Sequence, residues 1–427
     1  MKQALLILAI GGALSLAGAA SARTPAQVAE AALEAAPVWD GHNDVPIQLR
    51  GRFGNVIGDF DFRDTSDTGG DGDEGTWNGR TMHTDLTRLR QGRVGAQFWS
   101  VYVTAALDEP EAVQATIEQI DVTKRLIARY PGELALALTS GDVAQALKQG
   151  RIASLMGMEG GHSIGSSLGV LRQMYALGVR YMTLTHSKNT PWADSATDVA
   201  EHGGLTDFGR LVVKEMNRLG MLVDISHVSE ATMMDVLDEA RAPVIFSHSG
   251  ARALTDHPRN VSIPVLKRVQ ANGGIVMAVA YPSYISEERR AWGAAVSAEA
   301  ARAKTLYPGD TDAVKAAVEE WKAANPEPVS TIAQLADHID HIRAVAGIDH
   351  IGIGGDYDGM QTGPKGMEDV SGYPHLFVEL ARRGYSQAHL EKIASRNMMR
   401  VLKEAEACAV RQRENPPVEA PVPEIGD

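Results

Sequence analysis

Eight short apolar runs, rich in Val, Ile and Met and each ending in polar residues, recur along the 427-residue chain at 38–42, 94–103, 152–158, 180–185, 221–226, 243–247, 274–280 and 350–356. Near-continuous hydrophobicity, without alternation of period two, marks strands buried on both faces of a parallel sheet. Between the runs, 111–129, 165–177, 207–219, 230–240 and 330–346 carry apolar residues at three- and four-residue spacing, which predicts helices. Eight such units close into a (β/α)8 TIM barrel, an α/β fold. A plain barrel takes roughly 250 residues, so a domain spanning 23–408 must hold insertions. One is the Gly- and Asp-rich stretch 51–80, on the rim after the first run. The other, 286–328, reads as charged, Ala-rich helices that could form a lid or a dimer contact. The Pro-rich, acidic end, 409–427, reads as a disordered tail.

Charge and composition narrow the class. Lys and Arg number 41 against 54 Asp and Glu, a formal charge of −13, which argues against a nucleic-acid partner. With 44% hydrophobic and 22% charged residues, neither a disordered chain nor a polytopic membrane protein fits. Residues 1–22, MKQALLILAIGGALSLAGAASA, have the three regions of a secretory signal peptide. Their unbroken apolar run is short for a bilayer span of roughly 20 residues. The expectation is an exported soluble enzyme, periplasmic or secreted, with no stable membrane insertion after cleavage. The single cysteine, Cys408, excludes an intrachain disulfide and a Cys-based zinc site. Any metal must therefore use nitrogen and oxygen ligands.

In a barrel the ends of the strands share one face, so polar residues far apart in sequence converge on one pocket. The first run gives VWDGHNDVP, where His42 and Asp44 sit one residue apart and point to the same side of an extended chain. Alone the pair is a weak signal. The third run ends MGMEGGH, so that Glu159 leaves an apolar strand; with no basic residue ending a neighbouring run, a bound cation would balance it. The fifth and sixth give DISHVS and FSHSGAR, placing His227 and His248 at equivalent strand ends. Together these residues suffice for two divalent ions, with Glu159 as the bridge, and zinc suits the ligand set best. Such a pair activates water for hydrolysis of amides or phosphoesters. The eighth run, HIGIGGDYDG, offers Asp356 as a general acid/base, while Asp358 reads as a turn former. His186 in LTHSKN is either a donor to an oxyanion or an ordinary loop histidine. Arg259 in TDHPRNV is either a fork for a substrate carboxylate or a surface arginine.

Taken in order, DGHND, EGGH, LTHSKNTPWAD, DISHVS, FSHSGARAL, HPRNV and GGDYDG resemble the membrane (renal) dipeptidase family, peptidase family M19, from about residue 36 to about residue 400. The resemblance implies a binuclear zinc barrel of the metal-dependent hydrolase type that hydrolyses dipeptides, including those with a C-terminal D residue. Carried over residue by residue, it implies His42, Asp44 and Glu159 on one zinc, and Glu159, His227 and His248 on the other. It further implies His186 at the oxyanion, Arg259 on the substrate carboxylate, Asp356 as proton shuttle and Tyr284 near the substrate. Family members are often dimers, so a homodimer is allowed. Mammalian members carry disulfides and a lipid-anchor signal, and have a cysteine where this sequence has Lys188; the single cysteine and polar end here read as a soluble form. Two rival readings stand beside this one. The first is another binuclear barrel amidohydrolase or lactonase, against which the first strand shows His42 and Asp44 instead of H-x-H. The second is a barrel that binds without catalysing, against which every ligand position is filled.

Overall fold

The computed structural model describes residues 23–69 and 80–421. The signal-peptide reading for 1–22, part of the first insertion and the last residues of the tail lie outside them. Nine parallel strands form: β1 (Val38–Asn43), β2 (Val94–Ser100), β3 (Leu134–Leu136), β4 (Ile152–Glu159), β5 (Val179–Thr183), β6 (Leu222–Asp224), β7 (Ile245–Ser249), β8 (Ile275–Val279) and β9 (Ile351–Gly354). Hydrogen bonding runs in the order β2-β1-β9-β8-β7-β6-β5-β4, and β2 also pairs with β4, which closes an eight-stranded barrel. These eight strands coincide with the eight apolar runs, and the (β/α)8 expectation holds. The ninth strand, β3, pairs along Ile152–Ser154 of β4 on the side opposite β2, ahead of the point where β5 takes over at Met156. Only Leu134 of its three residues is buried, so it carries too little apolar signal to be read from sequence.

The barrel strands are buried along their whole length, as continuous hydrophobicity requires when helices cover one face and the barrel interior the other. Helix boundaries are set by caps. Asp207–Leu219 begins after Thr206, whose hydroxyl accepts from Gly209 N, and ends at Gly220 in the left-handed region. The helix expected at 165–177 starts later, at Leu168, because Gly161–Ile164 form a 3-10 turn ended by left-handed Gly165 and Ser167 caps the helix proper. The second insertion is helical as expected: Glu287–Leu306 and Thr311–Ala324 pack on each other, with Trp292 and Trp321 ring centroids 6.3 Å apart. Thr311–Ala324 buries no residue. At the other end of the chain, helix Asn397–Gln412 runs into the expected tail and packs Met398, Val401 and Leu402 against the foot of the barrel. Beyond it, Val418 donates to Glu215 and accepts from Arg172.

Candidate metal centre

The side chains singled out above all stand at the C-terminal ends of the strands. His42 lies inside β1, and Asp44 is the residue before helix Val45–Phe53. Glu159 ends β4, and His248 lies in β7. His186, His227 and Asp356 follow β5, β6 and β9 by two or three residues. Arg259 belongs to the loop after β7, and Tyr284 to the short turn Pro282–Ile285 after β8. Eight of the nine line one cavity of about 440 Å³, within the usual range for a small-ligand site. His42, fully buried, lies beneath it. A larger cavity of about 710 Å³ borders the first insertion, lined by residues such as Arg52, Asp61 and Asp64. None of the ligand groupings described next falls there.

Two trios, His42–Asp44–Glu159 and Glu159–His227–His248, bring one donor atom of each residue within 4.8 Å of the others, and all are buried. Glu159 belongs to both. Its Oε2 stands 3.5 Å from His42 Nε2, and its Oε1 stands 3.0 Å from His227 Nε2 and 3.5 Å from His248 Nε2. A third trio, His42–His248–Asp356, overlaps them. His42 Nε2 is 3.3 Å from Asp44 Oδ2, yet it and Asp44 Oδ1 are buried without a hydrogen-bond partner among the described residues. Orphaned buried donors and acceptors are costly, and a cation between them removes the cost. Three imidazoles and a carboxylate around the shared Glu159 carboxylate fit a pair of divalent ions of the zinc type.

Electrostatics agree with that fit. Burial works to raise the Glu159 carboxyl, but the imidazoles of His42, His186 and His227 hold it well below the usual carboxylate range. Burial, reinforced by neighbouring positive groups including Arg259, pushes His227 and His248 well below the usual histidine value, which favours the neutral imidazoles that a metal requires. Asp356 moves the other way: burial first, then the charges of Asp44 and Glu159, push it well above the usual range against His42 and Arg259. His227 (φ 67°) and Asp356 (φ 62°) both adopt the left-handed region, a strain that non-glycine residues hold mostly at functional sites.

One wall of the cavity is built around Arg259. It is 1% exposed. Its Nη1 donates to Ser249 Oγ at 3.4 Å and its Nη2 to the His248 carbonyl at 3.2 Å, while Nε has no hydrogen-bond partner among the described residues. At that burial Arg259 is not a surface arginine, and neither of these acceptors is a carboxylate. The guanidinium also lies 5.4 Å from the Tyr284 ring centroid, a cation–π contact. His186 packs between Tyr102 and His227, with centroids 4.8 and 4.4 Å away, and its Nδ1 is unpartnered. Asp358, in the left-handed region (φ 66°) of the turn after β9, ties that turn to His83: its Oδ1 accepts from His83 N at 2.8 Å and its N donates to His83 Nδ1 at 3.1 Å.

Among the cavity residues that the sequence did not single out are Tyr102, His257 and Tyr281. Tyr102 sits two residues past β2, the same position that singled out the histidines, but an aromatic at the end of an apolar run is indistinguishable from core. Burial pushes its phenol up to about 12, with Glu159 adding to the shift. His257 accepts from Arg259 N at 3.1 Å and packs its ring 4.5 Å from that of Tyr284, which in turn stacks on Tyr281 at 4.4 Å.

Comparisons with known proteins bear on this geometry. The profile of the membrane dipeptidase family, peptidase family M19, matches residues 26–416. Dipeptidase 3 of Macaca fascicularis is 40% identical over 400 residues, which are 92% of this chain and 70% of that protein. The crystal structure of the probable dipeptidase PvdM from Pseudomonas aeruginosa superposes with a TM-score of 0.74 at 25% identity, covering 90% of this chain and 99% of that one. A dipeptidase described as a metallo peptidase of family M19 gives 0.68 at 25%, covering 87% and 98%. Barrel closure, the shared carboxylate and a family match across nearly the whole chain lead to one conclusion: the chain belongs to the membrane dipeptidase family, peptidase family M19.

Proposed function

We propose that this protein is a binuclear zinc dipeptidase that acts on free dipeptides, including those whose C-terminal residue is D. The observation that carries the reading is the sharing of Glu159 by two ligand trios beside a buried guanidinium that meets no carboxylate among the described residues. His42, Asp44 and Glu159 would hold one ion, and Glu159, His227 and His248 the other. When bound, such ions supply Lewis acidity at the scissile carbonyl and lower the pKa of water toward neutrality.

The remaining steps belong to side chains. Arg259 takes the C-terminal carboxylate of the substrate in a fork-to-fork pair and so fixes the scissile bond one residue away. His186, kept neutral by burial, which lowers its pKa, retains one N–H to donate to the developing oxyanion. Asp356, pushed well above the usual carboxylate range by burial and by the charges of Asp44 and Glu159, is suited to hold a proton and pass it to the leaving amine. Tyr284, packed against Arg259, shapes the wall where the C-terminal residue lies. Tolerance of a D residue rests on the family resemblance. Export by way of residues 1–22 rests on their sequence pattern, and among the described residues no helix is long and apolar enough to cross a membrane.

The test is hydrolysis of Gly-D-Ala and Gly-L-Ala by purified protein, beside the same peptides with an amidated C-terminus and the matching tripeptides. The free dipeptides should be cleaved, chelator should abolish cleavage, and amidation should cost about 100-fold or more in kcat/KM, the worth of a buried charged hydrogen-bond pair. Equal turnover of free and amidated peptides would remove the carboxylate clamp, and no chelator-sensitive cleavage would remove the function.

A further inference from the structure

Asp224, the last residue of β6, is fully buried, and the reaction outlined above does not use it. Four neutral donors surround its carboxylate. The backbone N–H groups of Ser226 and Ser247 donate to Oδ1 at 3.0 and 2.9 Å. The hydroxyls of Thr183 and Ser247 donate to Oδ2 at 2.5 and 2.6 Å. A carboxylate offers about four lone-pair sites and no proton, so every acceptor position is taken.

Proton counting then decides the state of a ligand. Ser247 has one hydroxyl proton, and the short contact commits it to Asp224. Toward His248 Nδ1, 2.8 Å away, Ser247 Oγ is left only as an acceptor. The imidazole must carry its proton on Nδ1, which leaves the Nε2 lone pair directed at Glu159 Oε1, 3.5 Å away, and at His227 Nε2, 2.9 Å away. His42 differs. Its Nδ1 partner is the Tyr181 hydroxyl at 2.8 Å, which donates or accepts equally well, so no tautomer is imposed there.

We propose that Asp224 is a positioning residue for the metal centre: acting through Ser247, it fixes His248 as the Nδ1–H tautomer, the only neutral form whose Nε2 can ligate. The proposal rests on the metal reading above for its consequence, but the tautomer itself is a property of the chain. Outer partners that orient metal-bound imidazoles commonly contribute 10- to 100-fold in metal affinity.

Asp224→Asn is the informative variant. Two backbone N–H groups hold the carbonyl oxygen at the Oδ1 position, so the new NH2 faces Thr183 and Ser247. It donates to Ser247, whose proton turns to His248 Nδ1 and drives the ring to the Nε2–H form. In metal-free protein with 15N-labelled histidine, His248 should give an Nδ1–H signature in wild type and an Nε2–H signature in Asp224→Asn. Zn2+ competition titrations should show one of two equivalents weakened about 10- to 100-fold. Ser247→Ala should release the ring to a mixture of tautomers with a smaller loss of affinity. Because the message passes through that hydroxyl, Asp224→Asn should add nothing on the Ser247→Ala background, whereas independent structural damage would add. Wild-type tautomer or affinity in Asp224→Asn, or additive losses in the double variant, would overturn the relay. If Asp224→Asn does not fold, Ser247→Ala decides: an unchanged tautomer ratio and affinity would overturn it. If wild type binds no metal, the metal reading fails while the tautomer experiment still judges the relay.

Discussion

A guanidinium that is 1% exposed and whose hydrogen bonds among the described residues go to a serine hydroxyl and a backbone carbonyl is unfavourable for the fold by itself, since a buried charge is normally offset by an opposite one. Arg259 is therefore a residue where stability and function are expected to separate. Arg259→Met should raise KM for dipeptides by about 100-fold or more while leaving Tm unchanged or higher, as at other sites that trade stability for activity. A variant that lost Tm and kept its KM would assign Arg259 to the scaffold. At this scale the sequence was most informative for the metal-type ligands, because His and carboxylate residues at the ends of apolar runs have few other uses. It was silent on Tyr102 and Tyr281, whose apolar rings read as core, and on Asp224 and Ser247, whose importance lies in a proton count that only distances reveal.

Among elements, the strands were legible because burial on both faces leaves continuous apolar runs, and the helix at 207–219 was legible from its apolar spacing, while its ends are set in the structure by Thr206 and Gly220. What periodicity does not encode is how neighbouring strands make room for each other. Gly157 in β4 shows this: a Cβ there would lie 1.9 Å from Cζ of Tyr181 in β5, the residue whose hydroxyl holds His42 Nδ1. Gly157→Ala must displace that ring. Overpacking of this kind costs about 1–3 kcal/mol, so the variant should lose several degrees of Tm and also bind metal more weakly, although residue 157 touches no ligand. Unchanged melting with unchanged metal affinity would show that β5 moves freely, against a tightly packed barrel.

For the whole molecule, one centre joins strand ends drawn from β1, β4, β6 and β7, so occupancy of that centre should stabilise the barrel as a unit. A ligand present at 1,000 times its Kd contributes about 4 kcal/mol to the folded state. Chelation should lower Tm by several degrees, and Zn2+ should restore it, with Mg2+ a poor substitute for a nitrogen-rich site. Identical melting curves with and without chelator would deny the centre any structural weight. The second insertion differs from the barrel: Thr311–Ala324 buries no residue, so its place in the molecule was not fixed by core-forming residues.

The central claim is that Glu159 is shared between two ions, and anomalous diffraction at the zinc absorption edge from crystals of the zinc-loaded protein tests it most directly. Two peaks should flank the Glu159 carboxylate, one beside His42 and Asp44 and one beside His227 and His248, and both should vanish in Glu159→Ala. A protein that takes up no zinc, or peaks lying away from Glu159, would contradict the account.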